Sequence, residues 1–222
     1  MAGPAYTLSL FEDTVPAGGR YALPAVNRVL YVSAGGLTVT SAGRDVALAA
    51  DATWHGAGEI AAIAAGASGA TVLRWELARG GGAPPPATGV TTRVLLEHAI
   101  DLDARAQYLM RCDRVDFAPG GQALSHRHRG GGIRCLVAGA LDVTVGDAAA
   151  RRMTPGSAWF ESGREPVRAV ASPDAPTSFV RVSVLPREIR GRTSILYVDP
   201  DDAERGRPRQ YTVYVDEPIE IA

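Results

Sequence analysis

The stretch Gly120-Gly121-Gln122-Ala123-Leu124-Ser125-His126-Arg127-His128, running on through Arg129-Gly130-Gly131-Gly132 to Ile133-Arg134-Cys135-Leu136-Val137-Ala138-Gly139, decides how this chain is read. It opens on a Pro-Gly-Gly turn and carries two of the four histidines of the protein, one residue apart. On a β-strand the side chains at i and i+2 leave the same face, so the imidazoles of His126 and His128 can converge on one point. That is a ligand geometry for a divalent metal, and the apolar run after it, closed by glycine, reads as the next strand.

Working outward, short apolar runs at 6–11, 28–32, 36–40, 45–49, 60–64 and 70–77 alternate with Gly, Pro, Asn and Asp turns, and similar runs recur at 94–96, 108–117, 133–137, 141–145, 167–171, 178–185, 193–198 and 211–215. Runs of that length and spacing, without a sustained helical period, predict an all-β chain. Four glycines and three prolines between 79 and 90 offer neither periodicity nor sheet donors, and place a linker at 81–92. The expected organisation is an N-terminal domain over 1–80, a second domain over 93–186 and a strand-bearing extension over 187–222. The extension's runs at 194–198 and 211–215 need partners for their edges, either on a barrel or on another subunit, which would make a homodimer.

The halves also repeat. Pro16-Ala17-Gly18-Gly19 aligns with Pro119-Gly120-Gly121, Val32 to Val39 with Val137 to Val143, and Asp51-Ala52-Thr53-Trp54 with Gly156-Ser157-Ala158-Trp159. Two copies of one β-domain explain this most economically.

Composition narrows the function. The chain has 222 residues, 46% of them hydrophobic, with 23 basic against 24 acidic residues, so nothing draws it to nucleic acid or to an anionic membrane; the expected partner is a small molecule or another protein. Every basic residue is arginine, which removes Schiff-base, pyridoxal phosphate and phosphate-loop lysine chemistry. Cys112 and Cys135 are too few for a disulfide framework and read as buried thiols. With no signal-peptide pattern at the start and no apolar run near ~18 residues, the expectation is a cytoplasmic protein without a spanning helix.

The order Pro-Gly-Gly, His-x-His, an apolar strand ending in glycine and, some fifteen residues on, Pro155-Gly156-Ser157-Ala158-Trp159 resembles the cupin superfamily. The resemblance covers both halves and implies two tandem double-stranded β-helix barrels, jelly-roll-like, the first of them degenerate. It also implies a metal site with two histidines in the first motif, a glutamate seven residues before the closing glycine and a histidine after the second Pro-Gly. His126 and His128 match the pair, whereas the glutamate position is Gly132 and the last histidine falls near Pro166 or Val167. If Trp159 faces the cavity, strand parity turns Glu161 inward with it, and His126, His128 and Glu161 become a two-histidine, one-carboxylate set for Fe, Mn, Ni or Zn.

Arg134, two residues beyond Gly132, would then offer a bidentate fork to a substrate carboxylate, with Trp159 and Gln122 as further substrate-binding residues. In the first half Arg28 stands seven residues before Gly35, and Pro24 and Val26 lie where the histidines would be, so that half is read as metal-free. The leading functional expectation is a metal-dependent cupin acting on a small, carboxylate-bearing molecule with dioxygenase-like chemistry. The alternative is a non-catalytic ligand-binding cupin without metal.

Overall fold

The computed structural model describes residues 6–80, 89–205 and 209–221. The chain forms two compact units that divide between Arg105 and Ala106.

The first unit contains β1 (Tyr6–Val15), β2 (Arg20–Leu23), β3 (Asn27–Ser41), β4 (Arg44–Ala49), β5 (Thr53–Gly56), β6 (Ile60–Arg79) and β7 (Thr91–Ile100). Its antiparallel strands run in the order β4-β3-β6-β1-β7, with β2 on β6 and β5 on β3. The sequence reading counted residues from 93 on with the second domain; the structure corrects this, because β7 is an edge strand of the first unit, paired with β1 from Tyr6↔Ile100 to Thr14↔Thr91. A Gly/Pro-rich stretch shows where the backbone cannot pair, but not which strands beyond it pair with which. Residues 81–88 of the proposed linker lie outside the described residues.

The second unit contains β8 (Tyr108–Phe117), β9 (Gln122–His128), β10 (Gly132–Ala138), β11 (Leu141–Val145), β12 (Arg151–Met153), β13 (Ala158–Glu161), β14 (Val167–Ala171), β15 (Thr177–Pro186), β16 (Ile195–Tyr197) and β17 (Arg209–Ile219). They make two sheets, β13-β10-β15-β8-β17 and β12-β11-β14-β9-β16. The C-terminal strands are built into this unit: β17 lies along β8, and β16 caps β9 through Ile195↔His128 and Tyr197↔His126.

One pairing pattern serves both units, since β5-β3-β6-β1-β7 repeats the connections of β13-β10-β15-β8-β17. The matching glycines hold the same backbone: Gly35 has φ +74 and Gly139 φ +73, and a Cβ on either would lie 2.1 Å from Gly69 O or 2.4 Å from Thr177 Oγ1. At these bends only glycine takes the left-handed conformation without strain and without collision.

Each unit has its own apolar core. Leu30, Val32, Val39, Ile60, Ile63 and Val72 fill the first. On the face that carries Leu30 and Val32, the first unit also buries Arg28, and Arg28 Nε donates to Glu76 Oε1 at 2.6 Å. Arg74 bridges Glu76 at 2.7 Å and Asp13 at 2.7 Å, and the hydroxyls of Tyr21 and Thr92 donate to Asp13. All four charged residues are wholly buried and paired, the arrangement that makes interior charge tolerable. In the second unit Phe117, Leu136, Leu141, Val143 and Phe179 belong to the core, and Phe117, Leu141 and Phe179 also line the cavity that the histidine pair faces.

Candidate functional site

β9 presents Ala123, His126 and His128 as its buried residues. The spacing from 123 to 126 breaks strict alternation. Pairing with β14 explains it: Val167 lies opposite His126 and Ala169 opposite Ala123, so β9 carries one extra residue between them. This bulge re-aims the end of the strand and turns both imidazoles inward, as bulges beside sites commonly do. The rings meet edge to face with centroids 4.8 Å apart.

Their protonation follows from their partners. His126 Nδ1 lies 2.6 Å from the Leu124 carbonyl, which accepts its proton and leaves Nε2 with a free lone pair. His128 Nε2 lies 3.2 Å from Glu161 Oε2 and donates to it. Burial holds His126 below the ordinary imidazole range and pushes His128 down to about 3, against the opposing pull of the nearby carboxylate. Both rings are therefore neutral near pH 7.

Across β10 and β13 the register places Arg134 opposite Trp159 and Gly132 opposite Glu161. Glu161 thus reaches into the space where the resemblance implied a glutamate at 132. A side chain cannot grow from 132 itself, because a Cβ there would stand 2.4 Å from Val182 O and 2.6 Å from Ser183 Oγ. Glu161 Oε1 accepts from Trp159 Nε1 at 2.9 Å, and Oε2 lies 2.7 Å from Arg134 Nη2. Burial alone would raise the Glu161 carboxyl, but the Arg134 charge and the hydrogen bonds from His128 and Trp159 outweigh it and hold the group well below the carboxylate range. Arg134 is pushed down to about 10 by its own burial, and its Nη1 donates to Gly132 O at 2.6 Å.

The residues predicted from sequence mostly converge: His126, His128, Arg134, Trp159 and Glu161 line one small cavity of about 20 Å³. Gln122 is the exception. Its side-chain oxygen accepts from Arg168 at 3.3 Å on an exposed face, because it stands one residue from inward Ala123 and so points outward. Arg134 is corrected in role, since a guanidinium closed on Glu161 has no fork left for a substrate carboxylate.

Sequence reading missed Arg181, Arg209 and Tyr211, which line the same cavity. A charge inside the apolar run Phe179-Val180-Arg181-Val182 was the available signal for Arg181. Arg181 pairs with Asp113 at 2.7 Å, and burial keeps both below a tenth exposed. Arg209 and Tyr211 come from β17, whose place in this unit is a fact of long-range pairing alone.

The donor set does not fit a two-histidine, one-carboxylate metal centre. Both Glu161 oxygens are engaged by Trp159, Arg134 and His128, and His128 turns an N–H toward the carboxylate. A cation coordinated by Glu161 would have to share it with a guanidinium 2.7 Å away. At the position expected for a last histidine the cavity is lined by Val167. Among the described residues, no three His, Cys, Asp or Glu side chains are grouped to hold a metal ion.

No family model and no curated protein sequence matches this chain. Solved structures do. Oxalate decarboxylase from Bacillus subtilis at pH 4.6 superposes with a TM-score of 0.62 at 11% identity, over 95% of this chain and 84% of that one. The formate complex of Lactobacillus farciminis oxalate decarboxylase gives 0.62 at 14% identity, over 93% and 87%. AerE from Microcystis aeruginosa gives 0.59 at 12% identity, over 82% and 94%. At such identities the likeness concerns the fold, which is the all-β cupin fold.

Proposed function

We propose that the second unit is a metal-independent cupin barrel that binds a small carboxylate-bearing molecule. The observation that carries this is the engagement of both Glu161 oxygens, one by Trp159 and the other by Arg134, which removes the carboxylate a third metal ligand would need. The neutral histidines then act as hydrogen-bonding and stacking groups of a ligand chamber. Three guanidinium groups, on Arg134, Arg181 and Arg209, line that chamber with one carboxylate, on Glu161, and Asp113 pairs with Arg181 from outside the lining, so the surplus charge is positive and suits an anion. The formate complex of a neighbouring fold supports the size class.

The test is elemental analysis of the natively purified chain together with thermal denaturation in acetate and in its neutral isostere acetamide. Acetate should raise the melting temperature, acetamide should not, and iron, manganese, nickel and zinc should each stay far below one per chain. A stoichiometric metal would overturn the reading and return the site to His126 and His128 with an oxygenase-type role. Equal responses to acetate and acetamide would overturn the carboxylate assignment.

A further inference from the structure

We infer that Arg209 is the anchor for the bound carboxylate and that the Tyr211 side chain is the door between an open cleft and the inner chamber. The inference rests on the small-carboxylate reading above and adds the residue that takes the charge and the route by which the ligand arrives.

Arg209 is 6% exposed, yet its acceptors are all neutral: the Tyr211 hydroxyl, Gln122 O at 3.3 Å and the Tyr197 hydroxyl at 3.5 Å. The other two guanidinium groups of the chamber have carboxylates, Glu161 for Arg134 and Asp113 for Arg181. Among the described residues Arg209 has none. A buried cation without a counter-charge is unfavourable because the interior solvates it poorly, and an anionic ligand supplies what the chain omits. Tyr211 and His126, the latter with a free Nε2, line the same chamber, and the Tyr197 ring packs against His126 with centroids 6.3 Å apart. They offer additional hydrogen-bonding capacity beside the fork of Arg209.

The chamber of about 20 Å³ has room for roughly one water, too little for a carboxylate. Beside it lies an open cleft of about 380 Å³, walled by the loop from Gly191 to Ile195, by Arg111 and by Val213. Arg181 and Tyr211 line both spaces and so form the partition between them. Arg181 is fixed by Asp113 through contacts at 2.7 and 2.9 Å. Tyr211 is held more weakly: its ring lies between two guanidinium groups, 5.9 Å from that of Arg181 and 5.6 Å from that of Arg209. Its backbone stays in the ladder opposite Val115, so rotation of the side chain alone joins cleft and chamber. An anion that pairs with Arg209 competes for the hydrogen bond that Arg209 gives the Tyr211 hydroxyl, which couples entry to release of the door.

The experiment uses the full chain and ¹³C-acetate, with affinity from titration calorimetry at constant ionic strength and exchange rate from NMR line shapes. Arg209→Gln should lose acetate binding by at least tenfold. Arg209→Lys, which keeps the charge and loses the fork, should fall between it and the parent, and keeps the test valid if the Gln variant does not fold. Tyr211→Ala should speed acetate exchange by tenfold or more. Arg152→Gln, at an exposed pair with Asp142, should change neither. Acetate binding unchanged in both Arg209 variants would overturn the anchor, and an unchanged exchange rate in Tyr211→Ala would overturn the door. Nitrate competing on equal terms with acetate would overturn the preference for carboxylate. Failure of the parent chain to bind acetate at all would instead strike the functional reading beneath, so the two failures are distinguishable.

Discussion

Glu161 and Arg134 meet at 2.7 Å on neighbouring strands of the second unit, both almost wholly out of water, and each satisfies the other where a metal centre would need the carboxylate free. An ion pair of this kind is a weak source of net stability but a strong constraint, because removing one partner strands the other in a medium that solvates it poorly.

Glu161→Gln should therefore lower the unfolding free energy by about 3–5 kcal/mol, through the uncompensated Arg134 guanidinium. The double change Glu161→Gln with Arg134→Met should recover a large part of that loss. Urea denaturation of the two single variants and the double variant closes the cycle; additive losses would show that the two side chains are not coupled.

Acid should destabilise the fold through His128. Its folded-state value of about 3 lies below the ordinary 6.5, so the unfolded chain binds more protons between the two, and the stability of the native state falls as pH drops through that window. The slope is at most about 1.4 kcal/mol per pH unit for one such group. Glu161, also lowered in the folded state, adds to the loss below the usual carboxylate range, since its contribution is complete above the unfolded value and disappears as pH falls toward the folded one. Urea midpoints measured from pH 7 to 4 should decline, and His128→Gln should flatten the part above pH 5. A parent profile flat over that range would contradict the burial of a neutral imidazole.

Restoring the glutamate that the cupin resemblance implies at 132 should not build a metal site. Gly132→Glu places a Cβ 2.4 Å from Val182 O and 2.6 Å from Ser183 Oγ, both on the neighbouring strand, so the expected result is loss of the second unit's cooperative unfolding without gain of metal. Circular dichroism and metal content decide between that outcome and a folded, metal-loaded variant.

In the first unit the test falls on Arg74, which bridges Asp13 and Glu76 with no exposure to solvent. Arg74→Met leaves Asp13 with only hydroxyl donors, and the expected loss is about 3–5 kcal/mol by urea denaturation. Adding Asp13→Asn should restore part of it by removing the stranded charge.

Much of this was legible in the residues. His126 and His128 share a face because a strand alternates, and Glu161 turns inward with Trp159 for the same reason. The bulge at Leu124 and Ser125 was not legible, because it is defined by what β14 places opposite β9. Nor was the change of role for Arg134: parity correctly sent it inward, but whether an inward guanidinium is a receptor or a counter-ion depends on the acceptor across the strand pair.

The sequence by itself determined the all-β class, the glycine-marked bends at Gly35 and Gly139, and the convergence of five inward side chains, because these depend on local periodicity and on backbone freedom at single residues. Only the tertiary structure decided that β7 closes the first unit, that β17 brings Arg209 and Tyr211 to the histidines, and that Glu161 belongs to Arg134. Those are pairings between residues far apart in the chain. Their energies depend on burial and on distances of a few ångströms, which no local pattern encodes.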